Sequence, residues 1–83
     1  MEQQIGTVSH FFGGPSVAVV KLETGELAVG DRIRILGHTT DFTEAVTSME
    51  VDHQKVERAK AGDEVAVQVS ARVRRHDKVI KVT

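Results

Sequence analysis

The sequence predicts an all-β fold: a small closed antiparallel β-barrel of six to seven strands, with residues 1–83 as a single domain. Three observations carry this expectation. Valine dominates the apolar residues, while there are only three Phe and no Trp or Tyr, and β-branched enrichment favours pleated strands over helices. Short alternating runs separated by Gly and Asp turns recur from end to end. A chain of 83 residues buries only about 60–65% of its unfolded surface. A sheet that closes on itself and leaves no edge reconciles so many strands with so small a core.

The elements follow in order. Ile5 to Phe12 reads as the first strand and ends at Gly13-Gly14-Pro15, a loop because proline gives no N–H to a ladder. Ser16 to Leu22 forms the second strand, and Glu23-Thr24-Gly25-Glu26 the next turn. Leu27-Ala28-Val29 leads through Gly30-Asp31 into Arg32-Ile33-Arg34-Ile35, whose alternation turns both isoleucines inward and both arginines to water. Gly37 to Asp41 is a polar connection. Phe42 to Asp52 reads as one long strand whose apolar phase slips between Val46 and Met49. That slip predicts a β-bulge near Thr47-Ser48, or an edge whose faces change role. His53 to Lys60 reads as a crossing loop pinned by Val56, and Ala61-Gly62-Asp63-Glu64 as a turn. Val65, Val67, Val69, Ala71 and Val73 then alternate with polar residues, which predicts the clearest strand of the chain. Arg75-His76-Asp77 turns, and Lys78 to Val82 closes the sheet.

Composition excludes several classes of function. Cysteine is absent, which removes disulfides and thiolate metal sites together. No apolar run approaches the about 20 residues that span a bilayer, and the start Met1-Glu2-Gln3-Gln4 has none of the basic and apolar character of a signal peptide. A cytoplasmic protein with no membrane contact is the expectation. The net charge of -1 provides no global basic field for nucleic acid.

At this point the ordered motifs resemble a known family. Leu22-Glu23-Thr24-Gly25-Glu26-Leu27-Ala28-Val29-Gly30-Asp31-Arg32-Ile33 resembles the turn–strand signature of domain II in elongation factor Tu and its relatives. Ala61-Gly62-Asp63-Glu64-Val65-Ala66-Val67 resembles that family's later Ala-Gly turn, and Gly6-Thr7-Val8 also fits. More narrowly, Gly37 to Thr43 and Ser48 to His53 resemble small standalone elongation-factor-like proteins. The resemblance extends to the barrel at the C-terminal end of some collagenase-like peptidases. It implies a translation-factor domain II-like barrel. The sequence has no Gly-x-x-x-x-Gly-Lys-Ser/Thr loop, so no nucleotide binding and no GTPase activity are expected of it.

Candidate sites divide by charge. From Arg72 onward the chain carries Arg72, Arg74, Arg75, Lys78 and Lys81 against Asp77 alone, whereas Asp41 to Asp52 holds four acids and no base. Arg72, Arg74, Arg75 and Lys78 are the nucleic-acid-binding candidates, a basic outer stripe able to follow RNA phosphates. No aromatic is interleaved with them, so base stacking is not indicated. The resemblance implies a second surface. In elongation factor Tu the strand before the crossing loop, with the Ala-Gly turn, helps form the groove for the aminoacylated tRNA end. By motif order Glu50, His53, Asp63 and Glu64 fall there, although Asp52 and His53 depart from the aromatic–basic pair of that family.

His10, His38, His53 and His76 are dispersed without metal-ligand spacing, so no metal and no cofactor are expected. A weaker ligand-site candidate is His38 and Asp41 with His53, should two strand ends meet. No serine lies in a nucleophile-elbow context, and no enzyme is indicated. The first functional expectation is therefore a binding module of the translation apparatus, contacting ribosomal RNA, tRNA or a translation protein. The alternative is a protein-interaction module or detached subunit related to the C-terminal barrel of collagenase-like peptidases.

Overall fold

A computed structural model describes residues 2–83. Ten strands run in chain order: β1 Glu2–Phe12, β2 Val17–Leu22, β3 Glu26–Ala28, β4 Arg32–Leu36, β5 Asp41–Ala45, β6 Met49–Val51, β7 Gln54–Val56, β8 Arg58–Lys60, β9 Glu64–Gln68 and β10 Lys78–Val82. Among the described residues there is no helix, and so none long and apolar enough to cross a membrane. Eight strands form one antiparallel sheet in the order β5-β4-β10-β1-β2-β9-β6-β7, and β3 and β8 form a separate ribbon. This is more strands than expected, and the sheet is not a closed ladder, because β5 and β7 end it without pairing to each other.

The gap between those ends is covered by other means. The Val46 N–H donates to the Asp31 carbonyl at 2.8 Å, and the Gly30 N–H donates to Val46 at 2.8 Å. The ribbon contributes Leu27 and Ala59, both buried in the same core as Ile33, Ile35, Val65, Val67 and Val79. A three-residue strand pair has too little surface to stand alone. It is held because its inner residues complete this core.

β1 sets the curvature. Residues 2–7 pair with β10 and residues 6–12 with β2, with register shifts between Gln4 and Gly6 on one side and Val8 and His10 on the other. Each shift is a bulge, which bends a strand and raises its twist. Ile5, extra in the first bulge, is buried, and its carbonyl accepts from the Glu23 N–H at 2.7 Å. Gly6 sits against β2 so closely that a Cβ there would overlap the Lys21 carbonyl oxygen.

One turn is used three times. In Ala28-Val29-Gly30-Asp31, Lys60-Ala61-Gly62-Asp63 and Arg74-Arg75-His76-Asp77 the fourth-residue N–H donates to the first carbonyl at 3.0 to 3.1 Å. In each, the aspartate Oδ2 accepts back from the first-residue N–H, at 2.9, 3.1 and 2.8 Å. The third residue has positive φ, 99° at Gly30, 99° at Gly62 and 75° at His76, as a type II turn requires. Two of these turns are the Gly-Asp motifs of the sequence. The third puts a histidine where glycine is favoured.

Three local expectations are corrected. The run Phe42 to Asp52 is two strands, broken at residues 46–48. Val46 and Met49 both point into the core, and neither face alone accommodates that spacing. The stretch 53–60 is no loop: β7 and β8 occupy most of it, and the buried residue is Ala59, with Val56 only half-buried. The valine run is the third. Its alternation holds for burial, since Val65, Val67, Val69 and Val73 are all buried, but the ladder stops at Gln68. Beyond it the Val69 N–H bonds the Ser16 carbonyl and the Ser70 N–H the Glu44 carboxylate, so the segment packs inward without a partner strand.

Asp41 starts the edge strand and is held by Arg34 on β4 through two hydrogen bonds of 2.8 and 2.9 Å. The hydrogen bond from Arg34 keeps the Asp41 carboxyl below its ordinary value, with lost hydration opposing and the arginine charge assisting. A carboxyl lowered on folding contributes stability above its unfolded pKa, and loses it as pH falls through the folded one.

Three outcomes are expected. Arg34→Gln should return the Asp41 carboxyl toward its ordinary value in a carbon-detected NMR titration, and remove its share of the stability lost on acidification, so that the variant falls short of the parent at neutral pH and converges with it at low pH. Gly6→Ala should lower stability by about 3 kcal/mol in urea melts, because the obstruction is backbone rather than a movable side chain. His76→Gly should raise stability by about 1 kcal/mol, since the left-handed backbone is strained for a residue with a Cβ. A loss of stability on that last change would show that the imidazole holds the turn.

Candidate functional site

The basic candidates do not form one stripe. Arg72, Arg74 and Arg75 lie beyond the end of β9, not on a ladder strand with valines opposite. The Arg74 Nε donates to Thr39 Oγ1 at 2.9 Å, and the Arg75 Nε donates to the Ser9 carbonyl at 3.1 Å, so neighbouring arginines are tied to different elements. Arg75 and Lys78 do come together, with His38 and His76, around an open cleft beside Gly37. The buried Asp77 carboxylate under this cleft is occupied with the Arg74 N–H.

The second candidate set fares differently. Glu50, His53 and Glu64 are brought into a single groove on the outer face of the sheet. Asp63 is not with them: its carboxylate closes the turn to Lys60. The weaker trio is separated altogether. His38 belongs to the basic cleft, Asp41 to Arg34, and His53 to the groove. Among the described residues no three His, Cys, Asp or Glu side chains are grouped to hold a metal ion.

The groove is built from the middle of the sheet. Its floor is Val17 and Val19 of β2 with Ala66 of β9. Val19 stands opposite Ala66, and Ala66 opposite Glu50 of β6, while His10 of β1 faces Val19 from the other side. One wall is the corner Phe12 to Pro15. The Phe12 ring leans on His10 with centroids 4.3 Å apart and is 49% exposed. The corner is anchored by the Gln68 amide donating to the Pro15 carbonyl at 3.0 Å and the Ser16 hydroxyl donating to the Val69 carbonyl at 2.7 Å. The opposite wall is the two-residue turn Asp52-His53 joining β6 and β7, with φ of 52° and 64°. Positive φ at both positions is the primed hairpin turn that matches strand twist, and Asp and His tolerate it better than most residues.

Sequence reasoning by charge and motif missed the apolar half of this site. The signal was present in Val17-Ala18-Val19-Val20. An antiparallel strand with one wet face alternates. Here Ala18 and Val20 are buried in the core, while Val17 and Val19 face outward and remain half-buried.

The comparisons agree with this architecture. The family model for elongation factor Tu domain 2 matches residues 16–80. The chain is 42% identical over 77 residues to an uncharacterized protease of Methanocaldococcus jannaschii, across 92% of this chain and 19% of that protein. A collagenase of Porphyromonas gingivalis is 33% identical over 78 residues, across 93% of this chain and 22% of that protein. The chain thus spans about a fifth of the curated relatives it matches. Among solved structures it is similar to the C-terminal domain of a Geobacillus thermoleovorans protein assigned to the U32 peptidases. That likeness has a TM-score of 0.89 at 15% identity, over 98% of this chain and 93% of the other, and it shows the shared fold. The family match runs from the start of β2 into β10 and so takes in both Gly-Asp turns. The chain belongs to the elongation factor Tu domain 2 family.

Proposed function

We propose that this chain is a non-catalytic recognition module of the kind found at the C-terminal end of U32-type, collagenase-like peptidases. It works by holding a protein partner or substrate, and it supplies no catalytic group itself. One observation carries this reading: nearly the whole chain corresponds to nearly the whole of a peptidase C-terminal domain, 98% of one to 93% of the other. The sequence relatives support it, since the two most informative matches are to a protease and a collagenase. Recognition rather than chemistry fits the side chains as well. Among the described residues the one hydroxyl–carboxylate contact at the groove, Ser9 to Glu64 at 3.4 Å, is long for a nucleophile and its base.

Membership in a translation-factor family does not by itself carry translation activity, because one fold hosts many functions. The basic residues give that alternative little support, since Arg74 and Arg75 are drawn to different neighbours. The distinguishing experiment pairs the chain with the catalytic portion of a U32-type peptidase from the same source. A one-to-one complex by gel filtration and calorimetry, with a changed kcat/KM on a protein substrate, is expected. Failure to form that complex, together with nuclease-sensitive recovery on ribosomes, would overturn the reading in favour of RNA.

A further inference from the structure

We propose that the groove between the Phe12–Pro15 corner and the Asp52-His53 turn seats an extended peptide segment that carries a Lys or Arg side chain beside an apolar one. This rests on the protein-recognition reading above and names the chemistry of the partner.

The apolar part of the argument starts from β2. Val17 and Val19 face outward, and Ala66 lies opposite Val19 on the same face. With the half-exposed Phe12 ring as a wall, they leave an apolar strip on a face that water would otherwise require to be polar. Such a strip takes apolar side chains of a partner.

Charge selects the partner further. Glu50, Asp52 and Glu64 stand along the groove, and no Lys or Arg lines it. The ion pairs of the described residues use Arg34, Arg58 and Lys81 with Glu2, Asp41, Glu26 and Asp31, so none neutralises these three carboxylates. Lys21 faces Glu64 across the β2–β9 ladder and Lys55 faces Glu50 across the β6–β7 ladder, and neither closes to an ion pair. Among the described residues the one hydrogen bond to these carboxylates is weak, the Ser9 hydroxyl donating to Glu64 at 3.4 Å. Three unneutralised carboxylates beside an apolar strip repel a phosphate chain and attract a basic side chain. RNA is therefore the disfavoured occupant of this groove, whatever the basic cleft elsewhere on the molecule binds.

Topology decides how the segment is held. β2, β9 and β6 are each paired on both sides, so the groove floor has no free strand edge. The segment is thus gripped through side chains and is not added as a further strand. Both walls are tied down, the corner through Gln68 and Ser16 and the turn through the β6–β7 pairing, so little ordering is needed on binding.

The test uses the intact chain, labelled with nitrogen-15, and capped peptides of sequence Gly-Leu-Arg-Leu-Gly, with Gln or Glu in place of Arg as controls. Titration to millimolar peptide should shift the amides of Val17, Val19, Asp52, His53 and Ala66 with the Arg peptide, more weakly with Gln, and not with Glu. Added salt should weaken the Arg response. The double change Glu50→Gln with Asp52→Asn should weaken it about tenfold. Phe12→Ala should weaken it too, and the amide spectrum of each variant shows whether the fold is intact. No shift at these amides, equal response to the Glu peptide, or groove shifts produced by oligouridine would each overturn the proposal. Peptide binding here without complex formation with a peptidase would sink the proposed function and leave this inference standing. A peptidase complex that survives all three substitutions would do the reverse.

Discussion

Gly6 lies where β1 has to serve two neighbours at once, and a side chain there would collide with the Lys21 carbonyl of β2. On its other side the same stretch pairs with β10, the last strand of the chain. The two bulges that reconcile these registers bend β1, and the bend lets an eight-stranded sheet wrap one core instead of spreading flat. Ile5 and Val8 enter the core from either side of Gly6 and meet side chains of distant strands there. Five of the eight ladders among the described residues join strands that are not neighbours in sequence.

The strands reverse through a repeated piece of chemistry. An aspartate at the fourth position of a type II turn accepts the first-residue N–H, so a turn backbone that would otherwise need water is satisfied internally. Where the third residue is glycine the left-handed backbone is unstrained. At His76 it is not, and that turn is also the one whose aspartate is buried and whose flanks carry the basic residues. The Arg74–Asp77 turn fixes where Arg74 and Arg75 leave the backbone. Their heads reach Thr39 and Ser9, so the positive charge is spread over several elements.

The two faces thus differ in kind. Around His38, Arg75, His76 and Lys78 the surface is basic and polar. Along Val17, Val19 and Ala66 it is apolar and rimmed with carboxylates. A near-neutral net charge conceals this separation. A family best known for a nucleotide-hydrolysing machine appears here without the phosphate loop, on a chain whose relatives include a protease and a collagenase. What is shared is a scaffold, and the groove chemistry is where partners are distinguished.

Alternation, turn residues and ordered glycines were enough to read the all-β class, the family, the limits of β10, and those of β2 and β4 to within one residue, because each depends on neighbours within a few residues. Glu50 and Glu64 were placed on one surface by the family resemblance and not by local pattern, and the structure lines one groove with both, together with His53. Asp63 was assigned there wrongly, since its carboxylate turns back on its own loop, a local hydrogen bond that charge alone does not reveal. The valine run shows the deeper boundary. The period-two pattern correctly foretold that Val65, Val67, Val69 and Val73 point inward, because burial follows from side-chain chemistry. It could not foretell that the ladder ends at Gln68, because a strand exists only where another backbone lies alongside. Likewise Val17 and Val19 are only an apolar run in the sequence. The tertiary structure made them a groove floor, by bringing Phe12 from the end of β1, and Glu50 and the Asp52-His53 turn from the β6–β7 hairpin, to the same face. Side-chain polarity decided what is buried, and the pairing of distant backbones decided where the sheet stops and what its outer face presents.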